Sequence, residues 1–238
     1  PLFAALEEFP QLRADLFFSG YSELALAQQY PEVVRTVKGG LSEGRLGVSS
    51  NGYEHVSLPF VSHHSARKHI VKGVETDRRV WGIGQPDGFY PSDCAWDPTL
   101  GLLLRENGIA WVLNHVWRLR DSCPGGLYTD LRDLDTLQPI NILCAGGARI
   151  PMFFHENNNY YFLRDADLDH WFAELDRVKS AREDDAIVCV GLDMETPLVL
   201  EVQGVAENGA DGFRAFARRL AEIPDVRFTL LGDYLRNH

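Results

Sequence analysis

The chain has 238 residues, 45% of them hydrophobic, and a formal net charge of −11. That length allows one large domain or two small ones with a sizeable core, and an acidic surface argues against nonspecific binding to nucleic acid or to an anionic membrane, since both need a cationic face. No apolar run reaches the roughly 18 residues of a membrane span, and no signal peptide stands out, although the chain starts at Pro1 rather than at a methionine. The cysteines Cys94, Cys123, Cys144 and Cys189 are dispersed and form no CxxC pair. Such usage fits a reducing, cytoplasmic compartment and argues against a zinc knuckle.

In chain order, residues 1–12 read as a short helix and 14–19 as a strand that Gly20 closes. Residues 22–38 are helical, with Pro31 breaking the helix or starting its second half. Gly39-Gly40 reads as a loop, 45–50 as a strand and 51–55 as a polar loop; 65–80 is helical. Gly88-Phe89-Tyr90-Pro91 is an aromatic run entering a loop. Asp97 is an N-cap with Pro98 at the first helical position, and Gly108 ends that helix. Ile109–Leu113 is the next strand. Residues 121–139, rich in Gly, Pro and Asp, read as a long loop on the site face. Strands follow at 140–143 and 150–154, then a helix at 165–181 with Leu168, Trp171, Phe172, Leu175 and Val178 on one face. The run 186–192 suits a parallel strand covered on both faces. A helix at 209–223, a strand at 226–230 and a last helical turn at 232–237 complete the chain. Strands alternating with helices throughout predict a single parallel α/β domain over residues 1–238, and about seven strands suit a barrel better than a small open sheet.

In parallel α/β folds, ligands bind at the carboxyl ends of the strands. Asp93 and Asp193 each follow an apolar strand, so both are expected on one rim. Two carboxylates converging on a cleft are what glycoside hydrolysis requires: one attacks or stabilises the anomeric carbon, the other donates and then accepts a proton. The bland alternative is that each caps a helix or forms a salt bridge. Trp96, three residues after Asp93, suits stacking on a sugar face or core packing at the helix start. His155 either lines the cleft or sits in a solvated loop.

At these residues the chain resembles a known family. Gly88-Phe89-Tyr90-Pro91-Ser92-Asp93 is similar to the glycine-aromatic-Trp-Pro-Ser-Glu block of glycoside hydrolase family 57, and Leu192-Asp193-Met194-Glu195 to its later Asp-Gly-Glu or Asp-Ala-Glu block. Gly44-Arg45-Leu46-Gly47-Val48 with Tyr53 and His55 resembles the Gly-Gln-Val-Glu strand and the Tyr-x-His run after it; Phe162-Leu163-Arg164-Asp165 resembles an aromatic-x-Arg-Asp segment. The resemblance implies a distorted (β/α)7 barrel of parallel strands and retaining hydrolysis or transfer on α-glucans. Asp93 would be the nucleophile and Asp193 the acid/base. Tyr53, His55, Trp96, His155, Arg164, Asp165 and Glu195 would contact an oligo- or polysaccharide or support the carboxylates. No cofactor is implied.

Three departures stand out. The family's first strand, with its His-Gln-Pro motif, is not found in this chain; either a further segment or partner chain supplies it, or the barrel is open there. Asp93 stands where the family has glutamate, and Gly47 where its earlier strand has glutamate. Two other readings follow. One is a metal-dependent polysaccharide deacetylase using His63, His64 or His69, although the His64–His69 spacing is one residue longer than that of the related deacetylases. The other is a catalytically inactive relative that binds glycan or a partner chain.

Overall fold

The computed structural model describes residues 2–115, 137–157, 165–180, 185–191 and 209–238. In chain order the elements are α1 (Leu2–Glu8), β1 (Ala14–Phe18), α2 (Gly20–Gln29), α3 (Pro31–Ser42), β2 (Leu46–Ser50), α4 (His63–Trp81), β3 (Gly88–Phe89), α5 (Pro98–Glu106), β4 (Trp111–His115), β5 (Ile140–Leu143), β6 (Arg149–Asn157), α6 (Asp165–Ser180), β7 (Cys189–Gly191), α7 (Gly209–Glu222) and α8 (Leu231–Asn237). They divide into two compact units. Unit 1 comprises Pro1–Leu12, Asp130–Gln138 and His155–Phe228; unit 2 comprises Arg13–Thr129, Pro139–Phe154 and Thr229–His238.

Unit 2 holds the sheet order β1-β2-β3-β4-β6-β5. The first four strands are parallel neighbours, with Ala14 opposite Leu46, Ser50 opposite Phe89 and Gly88 opposite Trp111. Tyr30, between α2 and α3, leaves the helical conformation (φ −136°), and Pro31 opens α3 at a position where its missing N–H costs nothing. Gly39 and Gly40 lie inside α3 rather than in a loop. The reason is packing: a Cβ on Gly40 would stand 2.5 Å from a methyl of Leu46, so its absence lets the helix lie close on β2. Helix α4 starts at His63, two residues earlier than its periodicity suggests, because Ser62 Oγ accepts from the Ser65 N–H and caps it. Asp97 caps α5 through the Leu100 N–H at 2.8 Å. The core joins Leu58, Ala66, Ile70, Val74, Phe89, Leu103, Val112, Ile150 and Phe154.

Three further sequence expectations are corrected. β5 runs antiparallel to β6. Only residues 144–148 connect them, and Gly146 and Gly147 adopt the positive φ that so tight a reversal needs; a parallel pair would need a crossover of about a dozen residues. Residues 226–230 are not a strand but an extended approach to α8. The strand in 186–192 is described as Cys189–Gly191; it is half-buried rather than covered on both faces, and Val188 is exposed.

In unit 1, α6 and α7 pack through Leu168, Phe172, Phe216 and Leu220, with Trp171 meeting the Phe216 ring edge-on at 4.9 Å between centroids. Glu8 of α1 accepts from Arg214 and Arg218 of α7. Residues His155, Glu156 and Asn157 pair in parallel with Cys189, Val190 and Gly191. The predicted long loop at 121–139 falls mostly outside the described residues.

Candidate active site

Because β1, β2 and β3 are parallel, the segments that follow them leave the same edge of the unit 2 sheet. Backbone hydrogen bonds join these segments: Gly20 N to Gly52 O (2.9 Å), Tyr21 N to Tyr53 O (2.7 Å) and Tyr90 N to Ser50 O (2.9 Å). Helix α4 lies tight beneath them, since a Cβ on Gly73 would stand 2.6 Å from the Gly52 carbonyl carbon.

Asp93 is exposed on the segment after β3, in a turn from Ser92 to Cys94. Both Asp93 (φ 54°, ψ 23°) and Cys94 (φ 54°) adopt the left-handed conformation. That region disfavours L-residues by roughly 1–2 kcal/mol each, less for aspartate, and strained residues of this kind cluster at functional sites. The turn is fixed on both sides. Cys94 N donates to Pro91 O (2.9 Å) and Ala95 N to Ser92 O (3.0 Å). Buried Ser92 donates its hydroxyl to Oδ1 of buried Asn51 at 3.1 Å. The Tyr90 hydroxyl meets Cys94 Sγ at 3.2 Å. Ser57 Oγ donates to Asp93 Oδ2 at 2.6 Å.

Tyr53 and His55 lie on the segment after β2, on the same edge as Asp93. Tyr53 is half-buried, with the Lys72 ammonium 3.4 Å from its ring centroid, and His55 is exposed. Trp96 is half-buried against the core; a Cβ on Gly101 would stand 3.0 Å from its indole. In unit 1, His155 is buried in β6 with its ring over Gly191, and Asp165 opens α6. Arg164, Asp193 and Glu195 fall outside the described residues. His63 and His64 are exposed in the first turn of α4. Among the described residues, no three His, Cys, Asp or Glu side chains come together as a metal site would require.

Several polar residues at or behind this edge escaped the sequence reading. Ser57 and Asn51 carry no motif that marks them, and Ser92, the serine of the block that ends at Asp93, has no role legible in the sequence. Glu23 and Asp77 form a wholly buried acidic pair between α2 and α4, and Trp81 Nε1 donates to Glu23 Oε1 at 2.5 Å. Burial, and then the Asp77 carboxylate, pushes the Glu23 carboxyl up, and burial pushes the Asp77 carboxyl up. Two buried carboxylates cannot both stay charged so close together, so the pair holds a shared proton. Asp15 explains the glycine at position 47. Its Oδ1 would lie 2.4 Å from a Cβ there, so a carboxylate from β1 fills the space that a side chain on β2 would use. Burial pushes the Asp15 carboxyl up to about 6, against the pull of the Leu231 N–H that donates to Oδ2 at 2.8 Å.

The sequence profile of glycosyl hydrolase family 57 matches residues 2–237. The chain belongs to this family. No curated protein sequence matches. Among solved structures, the chain is similar to a 4-α-glucanotransferase from Thermococcus litoralis, with 18% identity and a TM-score of 0.76; the match covers 100% of this chain and 36% of that one. It is also similar to the α-amylase AmyC from Thermotoga maritima (10% identity, 100% and 68% covered, TM-score 0.66). A third likeness is to a peptidoglycan deacetylase from Bacillus subtilis (14% identity, 99% and 81% covered, TM-score 0.51). The chain thus spans about a third of the glucanotransferase. At these identities the likenesses establish the fold, the α/β class of the distorted barrel, and the family 57 expectation of the fold is met.

Proposed function

We propose that this chain is the catalytic domain, or part of it, of a retaining enzyme that hydrolyses or transfers α-glucan glycosidic bonds, with Asp93 as nucleophile and Asp193 as acid/base. Family membership supports a carbohydrate-active enzyme, and the names of the glucanotransferase and the amylase point to α-glucans as the substrate class. The single observation that carries the residue assignment is Asp93 itself. It is an exposed carboxylate in a left-handed backbone at the carboxyl end of β3, braced by Ser57, at the position of the family's nucleophile block. The family profile runs through both units, which supports one domain over residues 1–238.

In this mechanism an Asp93 oxygen attacks the anomeric carbon as the glycosidic C–O bond breaks. The Asp193 carboxyl gives its proton to the leaving oxygen. Water or a sugar hydroxyl then attacks the same carbon, Asp193 takes that proton back, and the Asp93 ester breaks. Tyr53 and His55, on the neighbouring segment, are the described residues best placed for substrate hydroxyls.

Asp93→Asn and Asp193→Asn are each expected to lower turnover of a soluble maltooligosaccharide by at least about 1,000-fold. Peptide mapping after exposure to 5-fluoro-α-glucosyl fluoride should place a glycosyl adduct on Asp93. Full activity in either variant, or an adduct on another residue, would sink the assignment.

A further inference from the structure

We propose that Ser57 is a positioning residue that aims the Asp93 carboxylate, and that the buried Asn51–Ser92 hydrogen bond pegs the strained turn from which it is aimed. This inference rests on the reading of Asp93 as nucleophile and adds a residue that no motif marks. Ser57 lies on a fixed support. It opens the 3-10 turn Leu58–Phe60, Phe60 N donates back to Ser57 O at 3.0 Å, Leu58 is buried in the unit 2 core and Val61 packs against that core. The Ser57 hydroxyl is therefore presented from a rigid element, and the 2.6 Å bond to Asp93 Oδ2 joins two loops whose residues are 36 apart in sequence.

Asp93 is equally constrained. A left-handed backbone held by the Cys94 N–H, the Ala95 N–H and the Ser92–Asn51 bond sets the direction of its Cα–Cβ bond. An aspartate then has only two side-chain torsions left, one fewer than the family's glutamate, and the Ser57 hydrogen bond to Oδ2 restricts how the carboxylate can turn. A nucleophile restricted in this way meets the anomeric carbon with a shorter search over rotamers, which is worth rate rather than affinity. The shorter side chain gives up reach and, with Ser57 in place, gains definition.

The test uses the full chain with three substitutions, Ser57→Ala, Ser57→Thr and Asp93→Asn. It measures kcat and KM on a 4-nitrophenyl α-maltooligoside and the rate of adduct formation with 5-fluoro-α-glucosyl fluoride. Loss of a hydrogen bond to a charged group predicts that Ser57→Ala lowers both kcat and the labelling rate by about 10- to 100-fold, with KM changed by less than about twofold. Ser57→Thr keeps the hydroxyl and should stay within about threefold of the parent. The proposal is overturned if Ser57→Ala stays within about twofold in kcat, if it acts on KM alone, or if the threonine variant falls as far as the alanine variant. Absent labelling of the parent, or undiminished activity in Asp93→Asn, would instead remove the nucleophile assignment, and the positioning role with it.

Discussion

At the scale of single residues, this chain spends its strain and its buried charge unevenly. Asp93 and Cys94 hold adjacent left-handed conformations on the exposed edge, while Asp15 sits partly buried in β1, accepting from a backbone N–H. A carboxyl raised from 3.8 to about 6 in the folded chain favours folding fully only below its ordinary value. Its contribution is lost as pH rises from 3.8 towards 6 and stays lost above. Asp15→Asn keeps an oxygen for the Leu231 N–H and removes the titration. The variant is therefore expected to gain on the order of 2 kcal/mol over the parent at pH 8 and to match it near pH 4. Urea midpoints measured at both pH values check this; an unchanged difference between them would refute it. None of this was legible in the sequence. The left-handed turn is invisible because aspartate and cysteine are ordinary in right-handed backbone too. The Asn51–Ser92 bond spans 41 positions and exists only because β2 and β3 pair in one register. What could be read was the position of Asp93 after an apolar strand, since that needed only the family block and the direction of a parallel strand.

At the scale of elements, glycines set the spacing between helices and sheet, and they are not equivalent. A Cβ on Gly39 meets nothing within 4 Å; on Gly40 it meets a Leu46 methyl at 2.5 Å; on Gly73 it meets the backbone of Gly52 at 2.6 Å. Gly39→Ala is expected to stabilise by about 0.5–1 kcal/mol through helix propensity alone. Gly40→Ala displaces a flexible side chain and should cost about 1–3 kcal/mol. Gly73→Ala has no such outlet, because α4 would have to withdraw from the segment after β2, and should be the worst of the three. Thermal midpoints in the order Gly39→Ala, parent, Gly40→Ala, Gly73→Ala check the argument, and a tolerated Gly73→Ala would contradict it. These contrasts also mark what periodicity could and could not predict. The caps of α5 and the start of α3 at Pro31 followed from local chemistry alone, and both are present. Two adjacent glycines look like a loop from the chain alone, because the use of Gly40 at the α3–β2 contact depends on Leu46, which comes after the helix.

At the scale of the whole molecule, the alternation of strand and helix predicted the α/β class and the family blocks predicted the barrel type, while the antiparallel β5–β6 pair and the extended run 226–230 depended on local geometry. The sheet of unit 2 and the α6–α7 pair of unit 1 build separate cores, and each unit also holds a cluster of packed aromatic rings. In unit 2, Phe17, Trp111, Phe153 and Tyr234 meet edge to face, with Trp111 only 1% exposed. In unit 1, Trp171 packs against Phe172 and Phe216. The consequence is optical. Trp171 is the only tryptophan within the sequence of unit 1. A Trp171→Phe variant should therefore lose the tryptophan emission of that unit and keep that of the four tryptophans in the sequence of unit 2, of which the buried Trp81 and Trp111 are expected to fluoresce at the blue end of the range. Subtracting the variant's emission from that of the parent during a urea titration yields a trace for unit 1 alone. The variant itself reports unit 2, so the unfolding of the two units can be read apart without a label.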